Sequence, residues 1–109
     1  MADVTIEYTG TARSTLLQLR NYLIACGVAP LPVIERIIEE FESKVSAFPV
    51  GCQLCPELLK IGSDRYRECN TYKGYRVLYS VDGFRIRAHA VLSQRQDIVQ
   101  LLYQRLIEF

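Results

Sequence analysis

The sequence has no apolar run approaching the roughly 20 residues that a transmembrane helix needs. It begins without the basic and apolar segments of a secretory signal, so we expect a cytoplasmic protein that does not contact a membrane. The net charge is only +1 and half of the residues are hydrophobic, which excludes a disordered chain. No repeat, low-complexity tract or linker divides the chain, so residues 1–109 are predicted to form one domain.

Cysteine and histidine, the residues that often mark metal and redox sites, are few: four and one respectively. Cys52 and Cys55 have the C-x-x-C spacing of such sites, but the prolines and glycines around them predict a loop. No second close pair completes a zinc site. We interpret the pair as structural, with a metal or redox role as the alternative. We expect no cofactor, no metal and no small-molecule substrate.

Hydrophobic periodicity predicts an α+β fold, in which an N-terminal strand and an antiparallel helix hairpin pack on a small antiparallel sheet, with a C-terminal helix. The short connection between the first two helices is what predicts the hairpin. The predicted strands cover about residues 4–8, 66–72, 75–82 and 84–92. The predicted helices cover about 12–26, 31–48 and 94–107, with a further helical turn near 57–60.

Two predicted reversals, at Lys73-Gly74 and Asp82-Gly83, determine which side chains share a face of the sheet. The pairs expected from two-residue loops are Asn70 with Val77, Tyr79 with Ile86 and Val77 with Ala88. This face is mostly apolar and is expected to pack against the helices. Glu68 fits it poorly, as does Asn70, so the strand that carries them is predicted to lie at an edge.

The opposite face of the predicted sheet collects basic side chains. Residues 61–109 carry eight Lys/Arg against five Asp/Glu. Arg76 is expected opposite His89, and Arg95 at the start of the last helix could close the patch. The candidates for target or phosphate binding are Arg67, Arg76, Arg85, Arg87 and Arg95. The candidates for catalysis are Arg67, Arg76, Arg95 and His89.

Clustered like charges on a sheet are mildly destabilising, so such a patch favours an anionic partner. That partner is either a nucleic-acid backbone or an acidic protein segment. The alternative is that Asp64, Glu68 or Asp97 neutralises the arginines. For His89, the two interpretations are a general acid–base, because imidazole titrates near neutral pH, and a hydrogen-bonded structural group.

A resemblance to the RelE/ParE superfamily of toxins from type II toxin–antitoxin systems rests on several of these segments. They are Gly74-Tyr75-Arg76-Val77-Leu78-Tyr79, Asp82-Gly83, and Ala90-Val91-Leu92-Ser93-Gln94-Arg95-Gln96-Asp97 before a leucine-rich helix. Phe48-Pro49, Gly51, Pro56-Glu57-Leu58 and Tyr66-Arg67-Glu68 resemble the loop and strand of ParE-like members. The resemblance implies a growth-arrest toxin of the plasmid-stabilisation kind.

Members of that superfamily differ in their targets. RelE-like members are ribosome-dependent mRNA endonucleases that use no metal, whereas ParE-like members inhibit DNA gyrase. By resemblance, Arg76 matches the arginine of the Gly-Tyr-Arg motif, Arg67 a strand lysine of the nucleases, and Arg95 an arginine before the last helix. A second lysine position falls at Cys69 and a tyrosine position at Leu101. Because these two positions lack nuclease residues, a gyrase inhibitor is favoured, with the mRNA endonuclease as the alternative.

The resemblance also implies a cognate antitoxin as partner. An amphipathic antitoxin segment is expected to use the helix hairpin and an open sheet edge, as peptides commonly bind to grooves and strand edges. A third interpretation is an inactive relative that serves only to bind the antitoxin.

Overall fold

The computed structural model describes residues 4–93. Its elements are β1 (Thr5–Tyr8), α1 (Gly10–Ala25), α2 (Pro30–Ala47), α3 (Pro56–Leu59), β2 (Arg67–Asn70), β3 (Arg76–Asp82) and β4 (Arg85–Leu92). The α+β class is confirmed, and the predicted elements differ from those observed only at their ends. The predicted helix over residues 94–107, with Arg95, lies outside the described residues.

The strands form one sheet in the order β1-β4-β3-β2. β2, β3 and β4 are antiparallel neighbours, and β1 adds to the far side of β4 in parallel. β2 therefore lies at an edge, as the polar character of Glu68 and Asn70 predicted. Part of this edge is covered, because the backbone amide of Cys55 donates to the Tyr66 carbonyl and that of Glu68 to the Gln53 carbonyl.

Both long helices pack on one face of the sheet, the helix face. Proline at the first position starts α2, where a missing amide proton costs nothing. Its apolar stripe, at helical spacing, buries Ile37, Phe41 and Val45 completely. Phe41 packs edge-to-face on Tyr79 of β3 with ring centroids 5.6 Å apart. Among residues 4–93, no helix has both the length and the apolar character needed to cross a bilayer.

The reversal between β2 and β3 is confirmed, but the pairing that follows it is not. Lys73 and Gly74 both adopt positive φ, 54° and 79°, and the Tyr75 amide donates to the Tyr72 carbonyl, as expected of a two-residue turn. The Thr71 amide then also donates to the Tyr75 carbonyl, at 2.8 Å. This additional bond displaces the register by one residue.

The displaced register moves side chains between faces. Asn70 pairs with Arg76, not with Val77 as predicted. Arg67 and Cys69 consequently pair with residues of the helix face, Tyr79 and Val77. Glu68 instead reaches the opposite face, which we call the outer face, together with Arg76.

The β3–β4 hairpin also differs from the prediction. Its turn is Gly83-Phe84, because Asp82 pairs with Arg85. Tyr79 then pairs with Ala88 instead of Ile86, a shift of two residues that preserves the faces. Val77 pairs with Val91, not Ala88, because a further irregularity between Leu78 and Tyr79 shifts the register again.

This irregularity is a β-bulge that leaves His89 without a partner in the ladder. Beyond it, Arg76 pairs with Leu92 and Leu78 with Ala90, so the predicted pairing of Arg76 with His89 is wrong. Ala88 packs in the helix-face core, whereas Ala90 packs in a smaller outer-face cluster. Beyond the bulge, even-numbered side chains of β4 therefore lie on the outer face instead of the helix face.

Beyond the end of β1, the side chain of Thr15 in α1 provides the hydrogen-bond acceptor that a neighbouring strand would otherwise give to β4. The last β1–β4 pair is Tyr8 with Ala88. Farther along β4, the Val91 amide donates to Thr15 Oγ1 at 3.0 Å, and that hydroxyl donates to the Ala12 carbonyl at 2.8 Å. The Thr15 side chain is only 2% exposed. Its hydroxyl thus satisfies a buried backbone amide and joins α1 to the sheet.

Replacing Thr15 with valine keeps the shape but removes the acceptor for the Val91 amide. We expect Thr15→Val to lower the free energy of unfolding by about 1–3 kcal/mol, the cost of an unsatisfied buried donor. Thr15→Ser is the matched control, which keeps the hydroxyl and loses one methyl, at about 0.8 kcal/mol. Urea denaturation measures both variants, and a valine variant more stable than the serine variant would contradict this role.

Candidate functional site: a basic groove

A groove lies beside the β3–β4 turn and has a volume of about 660 Å³. Its lining includes four arginines and two aspartates, which give it a charge of +2. We call it the basic groove. The lining residues are Val50, Asp64, Arg65, Arg67, Ser80, Val81, Asp82, Gly83, Arg85 and Arg87.

Arg85 and Arg87 are held by β4. Ile86 between them is buried in the helix-face core, so both arginines project from the outer face. Glu7 of the neighbouring β1 lies between them, with its carboxylate oxygens 3.5 and 3.6 Å from the two Nε atoms. The Arg85 side chain is 58% exposed. Such exposed, long ion pairs contribute at most about 1 kcal/mol, so either guanidinium can turn towards a ligand.

Arg67 and Arg65 enter the groove from the other side. Arg67 Nη1 donates to the Cys52 carbonyl at 2.6 Å, which fixes that guanidinium. The guanidinium of Arg65 lies 5.9 Å from the ring centroid of Tyr66. The groove is therefore built mainly from the β3–β4 hairpin and from the start of β2 with the segment before it.

Ser80 and His89 form a hydrogen-bonded pair at the groove, with Ser80 Oγ 2.8 Å from His89 Nε2. The imidazole packs edge-to-face on Tyr66, with ring centroids 5.1 Å apart. Burial, and then the charges of Arg87 and Arg65, lower the pKa of His89 to about 4. The ring is consequently uncharged at neutral pH, and a group of such low pKa is also a weak base, which favours the structural interpretation of His89 over a general acid–base.

Arg76 does not join the groove. Its Nη1 lies 3.0 Å from Glu57 Oε2 and 2.9 Å from Glu68 Oε2. The side chains of Arg76 and Glu68 are only 13% and 5% exposed. Gln53 donates a further hydrogen bond to Glu68, at 2.6 Å. For this arginine, the alternative that Glu68 neutralises the charge is therefore correct.

The same carboxylates form the one candidate metal cluster among residues 4–93. Cys55 Sγ and oxygens of Glu57 and Glu68 lie within 4.8 Å of one another. The Arg76 guanidinium already bonds to both carboxylates. A metal ion would have to compete with this cation for its ligands.

The two cysteines of the C-x-x-C motif lie in different apolar clusters. Cys52 packs against the helix-face core and Cys55 lies in the outer-face cluster, and both are free thiols. Cys52 instead lies beside Cys69 of β2, whose thiol donates to the Asn70 carbonyl. Burial, and then the neighbouring Cys52, raise the pKa of Cys69 to about 12, so it stays a protonated, unreactive thiol.

The structure thus brings together three of the predicted binding residues, Arg67, Arg85 and Arg87, and separates Arg76 from them. Arg65 and Ser80 are not among the residues predicted for this site. The spacing Arg65-x-Arg67, which repeats that of Arg85-x-Arg87, was a usable signal for the first. Strand alternation from Arg76 already places Ser80 on the face of Arg85 and Arg87, whereas its pairing with His89 follows from the bulge and the observed register.

Solved structures of similar fold come from toxin–antitoxin systems. A chain of the "Chromosomal ParDE TA system from P. aeruginosa" aligns with a TM-score of 0.64 and 13% identity, over 83% of this chain and 95% of that chain. A chain of the toxin–antitoxin complex RelBE2 from Mycobacterium tuberculosis aligns with a TM-score of 0.52 and 23% identity, over 85% and 100%. These likenesses establish the fold. No curated protein matches the sequence.

The family follows from the sequence match. Residues 6–98 match the family of the ParE toxin of type II toxin–antitoxin systems, parDE. Because the match spans most of the chain, this protein belongs to the ParE toxin family.

Removing the Arg76 cation should destabilise the fold. Arg76→Met leaves Glu57 and the buried Glu68 without a counter-charge, which should lower the free energy of unfolding by about 3 kcal/mol. Arg85→Met is the matched control, because its ion pair is exposed and should cost less than about 1 kcal/mol. Chemical denaturation at neutral pH compares the two variants. Equal effects would mean that the Arg76 network does not stabilise the protein.

His89 should make stability depend on pH. Its pKa is lowered to about 4 in the folded protein, whereas in the unfolded chain an imidazole titrates near 6.5. The unfolded chain therefore binds the proton first, and stability is lost as the pH falls from about 6.5 towards about 4. The loss is about 2 kcal/mol, less than the full pKa difference implies, because the partly exposed ring is screened by solvent. His89→Gln should lose less stability over this interval. Urea midpoints at several pH values test this, and identical profiles for both proteins would refute it.

Proposed function

We propose that this protein arrests growth by binding and inhibiting DNA gyrase in the cytoplasm, and that a cognate antitoxin neutralises it, as in plasmid-stabilisation systems. In this proposal the toxin is a binding protein and not an enzyme. The basic groove, with Arg67, Arg85 and Arg87, forms part of the surface that meets the target.

The observation that carries the proposal is the state of Arg76. An RNA-cleaving toxin needs cations that hold the scissile phosphate and stabilise its developing charge. Arg76, which by resemblance would be one of them, is bound by two carboxylates and largely buried. Releasing it to bind RNA would leave Glu68 as an unpaired buried charge, which is costly.

Other residues of the described chain also favour binding over cleavage. Cys69, at a position where the nucleases carry a lysine, is a buried thiol with a raised pKa. The pKa of His89 is lowered to about 4, so at neutral pH it lacks the proton that a general acid would donate and is too weak a base to activate a hydroxyl efficiently. The exposed arginines of the groove are instead available for association, where charge accelerates and orients encounter.

An antitoxin partner is supported by the exposed apolar side chains of the helix hairpin. Leu17 and Ile24, seven residues apart, lie on one side of α1 and are exposed, as is Leu31 at the start of α2. An amphipathic antitoxin helix could cover such a surface. The structures of similar fold include the toxin–antitoxin complex RelBE2, and we propose a comparable assembly for this chain.

A supercoiling assay tests the proposal directly. The purified protein should inhibit ATP-dependent supercoiling of a relaxed plasmid by gyrase, and prior mixing with the antitoxin encoded beside it should restore activity. The Arg85→Gln/Arg87→Gln variant should need about tenfold more protein for the same inhibition, because two charged contacts are lost. Arg13→Gln/Arg20→Gln, which removes the same charge from exposed positions of α1, should inhibit like the wild type.

The RelE-like alternative makes an opposite prediction in the same preparation. If supercoiling is untouched and the protein cuts mRNA in a translating extract, the gyrase proposal is wrong. If neither reaction is affected while the antitoxin still binds, the protein is an inactive relative.

A further inference from the structure

We propose that the basic groove is a phosphate-binding site, in which Arg85 and Arg87 hold the anion and the Ser80 hydroxyl, oriented by His89, donates to it. This inference deepens the proposed function, because it names the chemistry of the ligand at the target-binding surface. It does not depend on gyrase being the target, since phosphate binding can be measured on the toxin alone.

The bulge in β4 is what gives the groove its Ser80–His89 pair. In a regular strand, residue 89 would occupy a ladder position and Ala90 would share the helix face with Ala88. Instead Ala88 lies in the helix-face core and Ala90 in the outer-face cluster, with His89 between them outside the ladder. Bulges often redirect a side chain beside a functional site. Here the bulge places an imidazole 2.8 Å from a hydroxyl that lines the groove.

The polar groups of the groove match a tetrahedral anion. Ser80 pairs directly with Arg87 across the β3–β4 ladder, and Arg85 follows on the same face. Guanidinium groups present forks of N–H donors to phosphate, and a hydroxyl adds a donor from a third direction. The opposing carboxylates are Asp64 and Asp82 of the lining and Glu7, which lies between Arg85 and Arg87, so the four arginines leave an excess of one positive charge.

The charges around His89 should couple phosphate binding to a proton. In the free protein Arg87 and Arg65, together with burial, disfavour the imidazolium, while Tyr66 and Ser80 are the neutral groups against the ring. A bound phosphate would oppose the arginine charges and favour protonation. The charged His89 then donates from Nε2 to Ser80 Oγ, and the Ser80 hydroxyl donates to the phosphate. His89 is thus a positioning residue that acts through Ser80.

Because His89 is the only histidine, its ring signals report this coupling without ambiguity. NMR titration of the imidazole should be carried out with and without sulfate, which mimics phosphate and stays ionised across the pH range. The carboxyl groups of Asp64, Asp82 and Glu7 also lie at the groove, so the ring signal and not total proton uptake is the readout. Sulfate should raise the proton affinity of His89 about tenfold. An unchanged titration at saturating sulfate would overturn the coupling.

Variants then test the site itself. Arg85→Gln/Arg87→Gln should weaken sulfate binding at least about tenfold. Ser80→Ala should reduce the effect of sulfate on His89, because the hydroxyl link is lost while the charge of the bound anion remains. Arg13→Gln/Arg20→Gln is the charge-matched control and should bind like the wild type. If the control and groove variants bind equally weakly, only net charge matters and the site does not exist. The circular dichroism spectrum of each variant verifies that it is folded.

Two further ligands distinguish the sources of the phosphate. A short DNA duplex that binds more tightly than sulfate, with the same dependence on Arg85 and Arg87, assigns the groove to a nucleic-acid backbone. Binding of AMP without binding of the duplex assigns it to a small phosphate ester. Failure of every ligand overturns the inference even if supercoiling is inhibited, whereas binding without inhibition retains the site and refutes the gyrase target.

Discussion

The ion pairs of Arg76 with Glu57 and Glu68 depend on how β2 pairs with β3. A single additional bond, from the Thr71 amide to the Tyr75 carbonyl, displaces the register and brings Glu68 to the outer face. There it meets Arg76, and α3 supplies Glu57. Without this displacement Glu68 would point into the apolar core, where an unpaired carboxylate is prohibitively costly. The turn, the edge strand and α3 are thus coupled through one buried charge cluster.

This cluster divides the basic residues into two groups with different roles. Arg76 is used to hold the outer face together, and Arg67 is tied to the Cys52 carbonyl. Arg85 and Arg87 share one exposed glutamate across long distances. Among the arginines of the described sheet, the exposed ones are therefore gathered at the β3–β4 turn, away from Arg76. This separation is the observation on which the proposal of a binding toxin rests.

The order of elements could be predicted because each carries a local signal, such as the apolar stripe of α2 through Ile37, Phe41 and Val45. The shared face of the arginines could not, because register depends on individual hydrogen bonds that sequence periodicity does not encode. Asp82-Gly83 favours a turn, yet the chain reverses one residue later, at Gly83-Phe84. The bulge at His89 has no compositional mark, since Ala88, Ala90 and Val91 are equally compatible with regular alternation.

The bulge in β4 loses one ladder pair, but it lets this strand contribute side chains to two apolar clusters. These two cores hold Ala88 and Val91 against the long helices and Ala90 and Leu92 against α3 and Tyr66. In a regular strand, side chains alternate between the two faces without interruption, so Ala88 and Ala90 would share a face. The one extra residue that shifts the alternation must tolerate a position outside the ladder. His89 does so because Ser80 and Tyr66 satisfy its ring. The same irregularity that reconciles the two cores thus sets a hydroxyl–imidazole pair beside the exposed arginines.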